Sequence, residues 1–234
     1  MKNANITICL TIGRRPELLS QTLTSLGPLI SIYRVLAIND FGDEATNKVF
    51  KALCPRGELL QPGRHLGHHA AVDFMYKQVN TEFIFHCEDD WVFSNQEFLS
   101  NATALLESNS NLTMVCVRDL SDFSLKDSEL SKVSACTSQD GISFWRLTEV
   151  HPQWHGYTFN PHVTRLGIWR GLEGFGKFKK ERHISRYMRS LDCYVAYLNP
   201  GACRHIGDNN SVANPKKPSR LKCVVDQFKK LFNG

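Results

Sequence analysis

Residues 5–117 alternate between apolar, β-branched runs and stretches of helical character. "NITICLT" (5–11) reads as a strand and "PELLSQTLTSL" (16–26) as a helix with Pro16 in its first turn. "YRVLAIND" (33–40) is a second strand, and "DEATNKVFKAL" (43–53) a second helix with acids at its positive end. "GELLQ" gives a short third strand, 67–79 a third helix, and "EFIFHC" (82–87) a fourth strand. A helix near 96–108 and the strand "LTMVCV" (112–117) complete the series. Strands that alternate with helices pair in parallel and bury both faces, which leaves a doubly wound α/β layer as the expected architecture.

In such a layer ligands bind beyond the carboxyl ends of the strands. Thr11 to Arg15, Asp40 and Glu88-Asp89-Asp90 all fall at strand ends, so the topology predicts that they share one rim. Neither GxGxxG nor GxxxxGK[ST] occurs, so a Rossmann dinucleotide site and a P-loop are not indicated.

Beyond residue 117 the pattern loosens. Residues 118–141 read as a polar loop with short helical turns, and "ISFWRL" (142–147) as a strand. The aromatic, turn-rich segment 151–178 is expected to form a binding surface rather than core. A helix (179–191), a strand (193–198) and a loop carrying His205 follow.

"FIFHCEDDW" (83–91) poses the chemical question, because three adjacent carboxylates raise one another's pKa unless something positive lies beside them. A basic side chain, bulk water or a metal ion would serve. A solvated strand end fits poorly with the apolar strand before it and with Trp91 after it. A glycosidase-type acid and base pair needs carboxyls about 5–9 Å apart, and these are crowded together. A hard divalent cation that links carboxylates to substrate phosphates answers the question best.

The run of segments resembles the large inverting family of GT-A glycosyltransferases, which use nucleotide-sugar donors. "ITICLTIGRRPELLSQTLTSL" resembles that family's first strand, nucleotide-contacting loop and first helix. "LAINDFGDE" resembles its second strand, Glu88-Asp89-Asp90 its DxD-like triplet, and "VAYLNPGACRHIG" its closing strand and metal-binding histidine. Asp73 stands where that family commonly has an Asn.

The resemblance implies a single GT-A (Rossmann-like) α/β domain with a mixed, mostly parallel sheet flanked by helices. Residues 1–212 would form it, with 1–117 the nucleotide-binding half and 118–212 the acceptor side. It implies a Mn²⁺ or Mg²⁺ ion held by Asp90, Glu88 and His205. Thr11, Gly13, Arg14, Arg15, Asp40, His65, Gly67, Glu88 and Asp89 would meet the nucleotide. The family's acceptor motif ends in an acid that acts as base, but its place is taken here by Arg182, so Glu181 is the expected base and Glu173 its competitor. Trp154, His155 and Trp169 would meet the acceptor.

The formal net charge of +5 lies in the tail, where six basic residues from Lys216 onward face one acid, Asp226. A body with no net charge argues against general nucleic-acid binding. "SRLKCVVDQFKKLFNG" reads as a basic amphipathic helix after a linker, within a tail of residues 213–234. It would either pack on the body or touch an anionic membrane through 216–232. The eight cysteines form no CxxC pair, and the chain opens on "MKNANITICLTIG" without a long apolar run. The reading is a reduced, cytoplasmic enzyme, peripheral at most, that adds a sugar to a glycan or lipid-linked glycan in bacterial surface polysaccharide or lipopolysaccharide assembly. Its rivals are a sugar nucleotidyltransferase, a non-catalytic GT-A-like binding module, and a metallohydrolase built on His65, His68 and His69.

Overall fold

The computed structural model describes residues 5–207. The amphipathic tail and its expected membrane contact lie outside the described residues. The chain forms a nine-stranded sheet with helices on both faces. The strands are β1 (Ile6–Ile12), β2 (Arg34–Asn39), β3 (Glu58–Leu60), β4 (Phe83–Glu88), β6 (Leu112–Cys116), β7 (Ser134–Thr137), β8 (Ser143–Arg146), β9 (His162–Arg165) and β10 (Tyr194–Leu198). Their spatial order is β3-β2-β1-β4-β9-β6-β10-β8-β7. A separate ribbon pairs β5 (Trp91–Phe93) with β11 (Cys203–His205).

Period-2 burial along each strand divides the core into two layers. Ile8, Leu10 and Ile12 of β1, with Phe83, Phe85 and Cys87 of β4, face one layer. There they meet α1 (Pro16–Leu26), α3 (Glu44–Leu53) and α5 (Phe98–Ser108); α2 (Leu29–Ile32) is a single turn beside them. Cys9, Leu36, Ile38 and Ile84 face the other layer, which holds α4 (His68–Tyr76), α7 (Leu166–Gly171) and α8 (Glu181–Ser190). The seven cysteines among the described residues are all free, and four of the five buried ones lie in strands.

The order of connections fixes where the rim lies. From β1 the chain steps outward to β2 and β3, then returns to place β4 on the other side of β1. β1 is parallel to both neighbours, with Thr11 opposite Ile38 of β2 and Glu88 of β4. The loops after β1 and β4 therefore leave side by side at a topological switch point.

The first half follows the expected elements closely, as do β8, α8 and β10 in the second; the remainder of the second half corrects them. The stretch expected as a binding surface, 151–178, is largely core. β9 is inserted antiparallel between β4 and β6, and Tyr157, Phe159, His162, Val163 and Phe175 are buried. Four residues flanked by turns carry too little periodicity to announce a central strand. The polar run 118–141 contains α6 (Asp127–Leu130) and β7, an edge strand whose exposed faces give no apolar alternation. β5 and β11 are three residues each, and pair only because Ala202 and Cys203 donate to the Val117 carbonyl. Gly201 permits that crossing: a Cβ there would strike the Asp119 backbone.

Asp73 on α4 binds the second half to the first. Its carboxylate accepts from Trp169 Nε1 at 2.7 Å and from the backbone amides of Phe175 and Gly176 at 2.8 Å. An Asn would offer one acceptor oxygen instead of two, so the acid matches three donors. Asp73→Ala is expected to lower stability by about 2 kcal/mol, since hydrogen bonds to a charged group contribute roughly 1.5–3 kcal/mol each and water recovers part of the loss. In a chain of this size that corresponds to about 5 °C in Tm, readable by calorimetry. An unchanged Tm would show that the 169–176 segment is held by packing alone.

Candidate functional site

The rim is organised by Arg15, the last residue before α1. Its guanidinium reaches both acids after β4, with Nη2 on Asp89 Oδ1 and Nη1 on Asp90 Oδ2. The positive partner that the crowded carboxylates require is thus supplied by the chain itself. Asp89 also accepts from the Gly13 backbone amide at 2.9 Å, tying the β1 loop to the β4 loop a second time. Asp90 Oδ2 is shared with His205 Nε2 at 3.0 Å, while Asp90 Oδ1 is buried with no hydrogen-bond partner among the described residues.

His205 is aimed by its neighbours. Its amide donates to Asp122 Oδ2 at 3.1 Å, and its ring packs on Trp91 with centroids 4.9 Å apart. Asp122 is held in turn by Arg118 Nε at 2.7 Å, and Arg118 covers the rings of Trp91 and Phe123. Gly207 keeps the space beside the pair open, because a Cβ there would press on Asp90 Oδ2 and come within 2.7 Å of His205 Nε2.

The three acids have different electrostatics. Burial, reinforced by Asp90 and Asp89, pushes Glu88 up to about 8. Burial also raises Asp89, to about 6, against the pull of Arg15. Burial acts on Asp90 too, but the His205 hydrogen bond and the Arg15 charge outweigh it and hold Asp90 below the usual carboxylate range. Burial opposes the Arg15 charge, and Asp89 and Asp90 more than compensate, so Arg15 is raised.

Chain neighbours of this cluster line two clefts, Arg14 one and Glu88 the other. One, of about 670 Å³, is lined by Arg14, Asn39, Asp40, Phe41, Arg64 and His65, among others. Phe41 stacks on His65 at 5.0 Å, and the Arg14 guanidinium lies 4.5 Å from the Phe41 centroid. Arg14 has φ 59°, a left-handed backbone that a non-glycine residue rarely adopts, and its amide donates to Asp43 Oδ2 at 2.7 Å. Asp40 accepts from the amides of Leu66 and Gly67 at 2.7 and 2.9 Å and meets His65 Nδ1 at 2.8 Å. It therefore holds the 65–67 loop that separates the two clefts.

The second cleft, of about 810 Å³, contains Gly67, His68, His69, Glu88, Lys179, Lys180 and Glu181. Glu181 stands at the start of α8. It is exposed and lines the cleft, and its pKa is raised, chiefly by desolvation, while the Phe159 amide and Thr158 hydroxyl oppose the rise. Burial, with His69 second, lowers His68 to about 4.

Gly13, Arg15, Asp89, Asp90 and His205 thus form one cluster, Arg14, Asp40 and His65 line the first cleft, and Gly67, Glu88 and Glu181 line the second. Thr11 lies within β1, opposite Glu88. The other expected site residues lie apart. The Glu173 side chain is 86% exposed and faces Lys177. Trp154 stacks on His151 at 3.8 Å, His155 Nδ1 meets the buried Tyr197 hydroxyl at 2.8 Å, and Trp169 is committed to Asp73. Sequence reasoning passed over Asn39, Phe41, Arg64, Lys179 and Lys180. Phe41 follows Asp40 directly and was within reach; Lys179 and Lys180 read as an ordinary charged helix start.

No protein-family model and no curated protein matches the sequence. Solved structures do match in three dimensions. S. aureus TarS 1-349 superposes with a TM-score of 0.61 at 13% identity, over 93% of this chain and 68% of that one. The mannosyltransferase PcManGT from Pyrobaculum calidifontis, in complex with GDP-Man and Mn²⁺, also gives 0.61, at 12% identity over 100% and 66%. TarS 1-349 in complex with UDP-GlcNAc gives 0.59 at 13% identity, over 86% and 58%. The fold is GT-A-like. The chain spans about three fifths to two thirds of the length of these three structures.

The Glu88 position generates a pH signature. Its folded pKa lies above its ordinary value, so between those limits the folded state keeps a proton that the unfolded chain has released, and stability falls as pH rises. Histidines 68, 86, 155 and 162 are all lowered, chiefly by burial, with 68, 155 and 162 at about 4, and act oppositely. Their contribution grows as pH rises toward 6.5 and is then complete. Urea midpoints are therefore expected to rise up to about pH 6.5 and to fall from there to about pH 8. Glu88→Gln should abolish the fall and leave the rise; a fall that persists in the variant would assign it to another group.

Proposed function

We propose that the chain is a nucleotide-sugar glycosyltransferase. The observation that carries this reading is the convergence of the Arg15–Asp89–Asp90–His205 cluster at the switch point of a GT-A-like sheet, where its neighbours Arg14 and Glu88 line two clefts. The smaller cleft would take the nucleoside, with Phe41 and His65 as a flat face for the base. The larger would take the acceptor and the transferred sugar, and both fall in the size range of small-molecule sites.

A divalent ion fits the cluster. Asp90 offers a buried oxygen without a partner, His205 offers an imidazole beside it, and glycine at 207 leaves room. Among the described residues no group of three or more His, Cys, Asp or Glu side chains is poised for a metal. Two protein donors suit an ion that completes its shell with substrate phosphates and water. Such an ion, Mn²⁺ or Mg²⁺, would offset the charge that develops on a departing nucleoside diphosphate. Asp90 and His205 would hold it.

Arg15 remains beside the diphosphate as a fixed positive charge and keeps Asp89 and Asp90 in register. Glu181 is the group placed to take the proton of the acceptor hydroxyl, because it lies in the larger cleft, whereas Glu173 lies outside it. Its burial-raised pKa suits a general base working near neutrality. A base acting directly on the acceptor implies inversion at the sugar carbon. Assembly of a bacterial surface glycan remains the proposed setting, with the tail as the segment for membrane contact; no described helix is long and apolar enough to cross a membrane.

Calorimetric titration with UDP, GDP, CMP and dTDP, each with and without Mn²⁺, tests the donor site. One nucleotide is expected to bind with metal, and Asp90→Ala should weaken it at least tenfold. With the matching donor and an acceptor, Glu181→Gln should reduce kcat by about 10²–10⁴ while leaving nucleotide binding intact. Absence of binding by every nucleotide would overturn the reading.

A further inference from the structure

The larger cleft is lined by both acids and bases. Glu88 and Glu181 carry the acid. Lys179 and Lys180 line the same cleft, and Arg182 and Arg186 continue the charge along the exposed side of α8. All four are exposed, and among the described residues none is in an ion pair, whereas nearby Lys177 faces Glu173 and Arg189 is spent on the carbonyls of Thr148, His151 and Trp154. They lie close together: His183 is lowered first by desolvation and then by Arg182, Arg186, Lys180 and Lys179 in turn. Uncompensated like charges repel, and four at the start of one helix, two of them lining the cleft, are relieved by an anion that comes and goes.

We propose that the acceptor is an anionic saccharide whose phosphoryl or carboxylate groups are held by Lys179, Lys180, Arg182 and Arg186 while its reacting hydroxyl points to Glu181. The proposal rests on the glycosyltransferase reading for the word acceptor; the anion site rests on the charge arrangement alone. Concavity selects a saccharide over a membrane, because two of the four cations line the wall of a cleft that a planar bilayer does not enter. The charges set polarity: a negative group is repelled by the ionised carboxylate of Glu181 and attracted by the cations, so the acceptor enters hydroxyl first. The basic start of α8 then has a role that its sequence position alone does not suggest.

The test uses the full chain and fluorescently labelled maltotriose, its 6-phosphate, and trigalacturonate, with binding measured at low and moderate salt. At least one anionic probe is expected to bind ten or more times tighter than maltotriose and to weaken with salt. Lys179→Gln/Lys180→Gln and Arg182→Gln/Arg186→Gln should each remove most of that preference with Tm unchanged. The tighter of the two anionic probes identifies phosphoryl or carboxylate as the recognised group. Equal binding of all three probes, or a preference that survives both double variants, overturns the proposal. So does a result in which phosphatidylglycerol vesicles bind through these four residues and neither anionic saccharide does. Nucleotide titration of the same preparation separates the two readings: anionic-saccharide binding without nucleotide binding defeats the transferase and leaves the anion site, and the reverse defeats the anion site alone.

Discussion

Arg15 joined to Asp89 and Asp90 is the contact on which the rest of the rim depends. It crosses from the loop after β1 to the loop after β4, two loops that the sheet places side by side but does not otherwise hold together beyond the Gly13–Asp89 hydrogen bond. Two buried acids beside a third would disrupt this corner without it, since an unpaired buried charge costs several kcal/mol. With it, Asp89 becomes a structural strut, Asp90 stays ionised, and Glu88 is left as the least acidic of the three. One guanidinium thus sorts three adjacent carboxylates into three environments.

The second organising theme is that acids serve as loop anchors. Asp40 fastens the 65–67 loop, Asp73 fastens 169–176, and Asp122 fastens His205. Asp40 and Asp73 accept backbone amides from stretches outside helix and strand, and Asp122 accepts the amide at the end of the short strand β11. Irregular segments need such acceptors because their amides have no ladder to join. The two clefts and the cluster keep their shape through these anchors, and the wall between the clefts is the loop held by Asp40.

The first half of the chain was legible because local and global signals agree there. α1 coincides with its expected span, Pro16–Leu26, and β1, β2, β4 and β6 lie within a residue or two of theirs. The placing of Asp40, Gly13–Arg15 and the acid triplet on one rim followed from topology before any coordinate. In the second half β8, α8 and β10 also fall where expected, but the stretch 151–178 was not legible, and the reason lies in length and context. β9 is four residues long, and its central position between β4 and β6 depends on partners far away in sequence. His155 and Trp169 read as surface recognition residues because polar aromatics favour interfaces, but a buried hydroxyl and a carboxylate satisfy them from within. The GT-A-like fold agrees with the resemblance read from the motifs, although the matching structures share only 12–13% of its residues.

The sequence by itself determined the alternating strand and helix order, the parallel sheet, the strand-end position of the acids and the absence of a phosphate-loop motif. These are properties of short range, set by side-chain period and turn residues within about twenty positions. Only the tertiary structure decided which charge answers the acid triplet, which of two glutamates lines a cleft, and that Lys179 and Lys180 share that cleft with Glu88. Those outcomes depend on pairs separated by 74 and 75 residues for Arg15 with the two aspartates, and by 115 for Asp90 with His205. Local period says nothing about such pairs, because only packing across the whole sheet brings them within bonding distance.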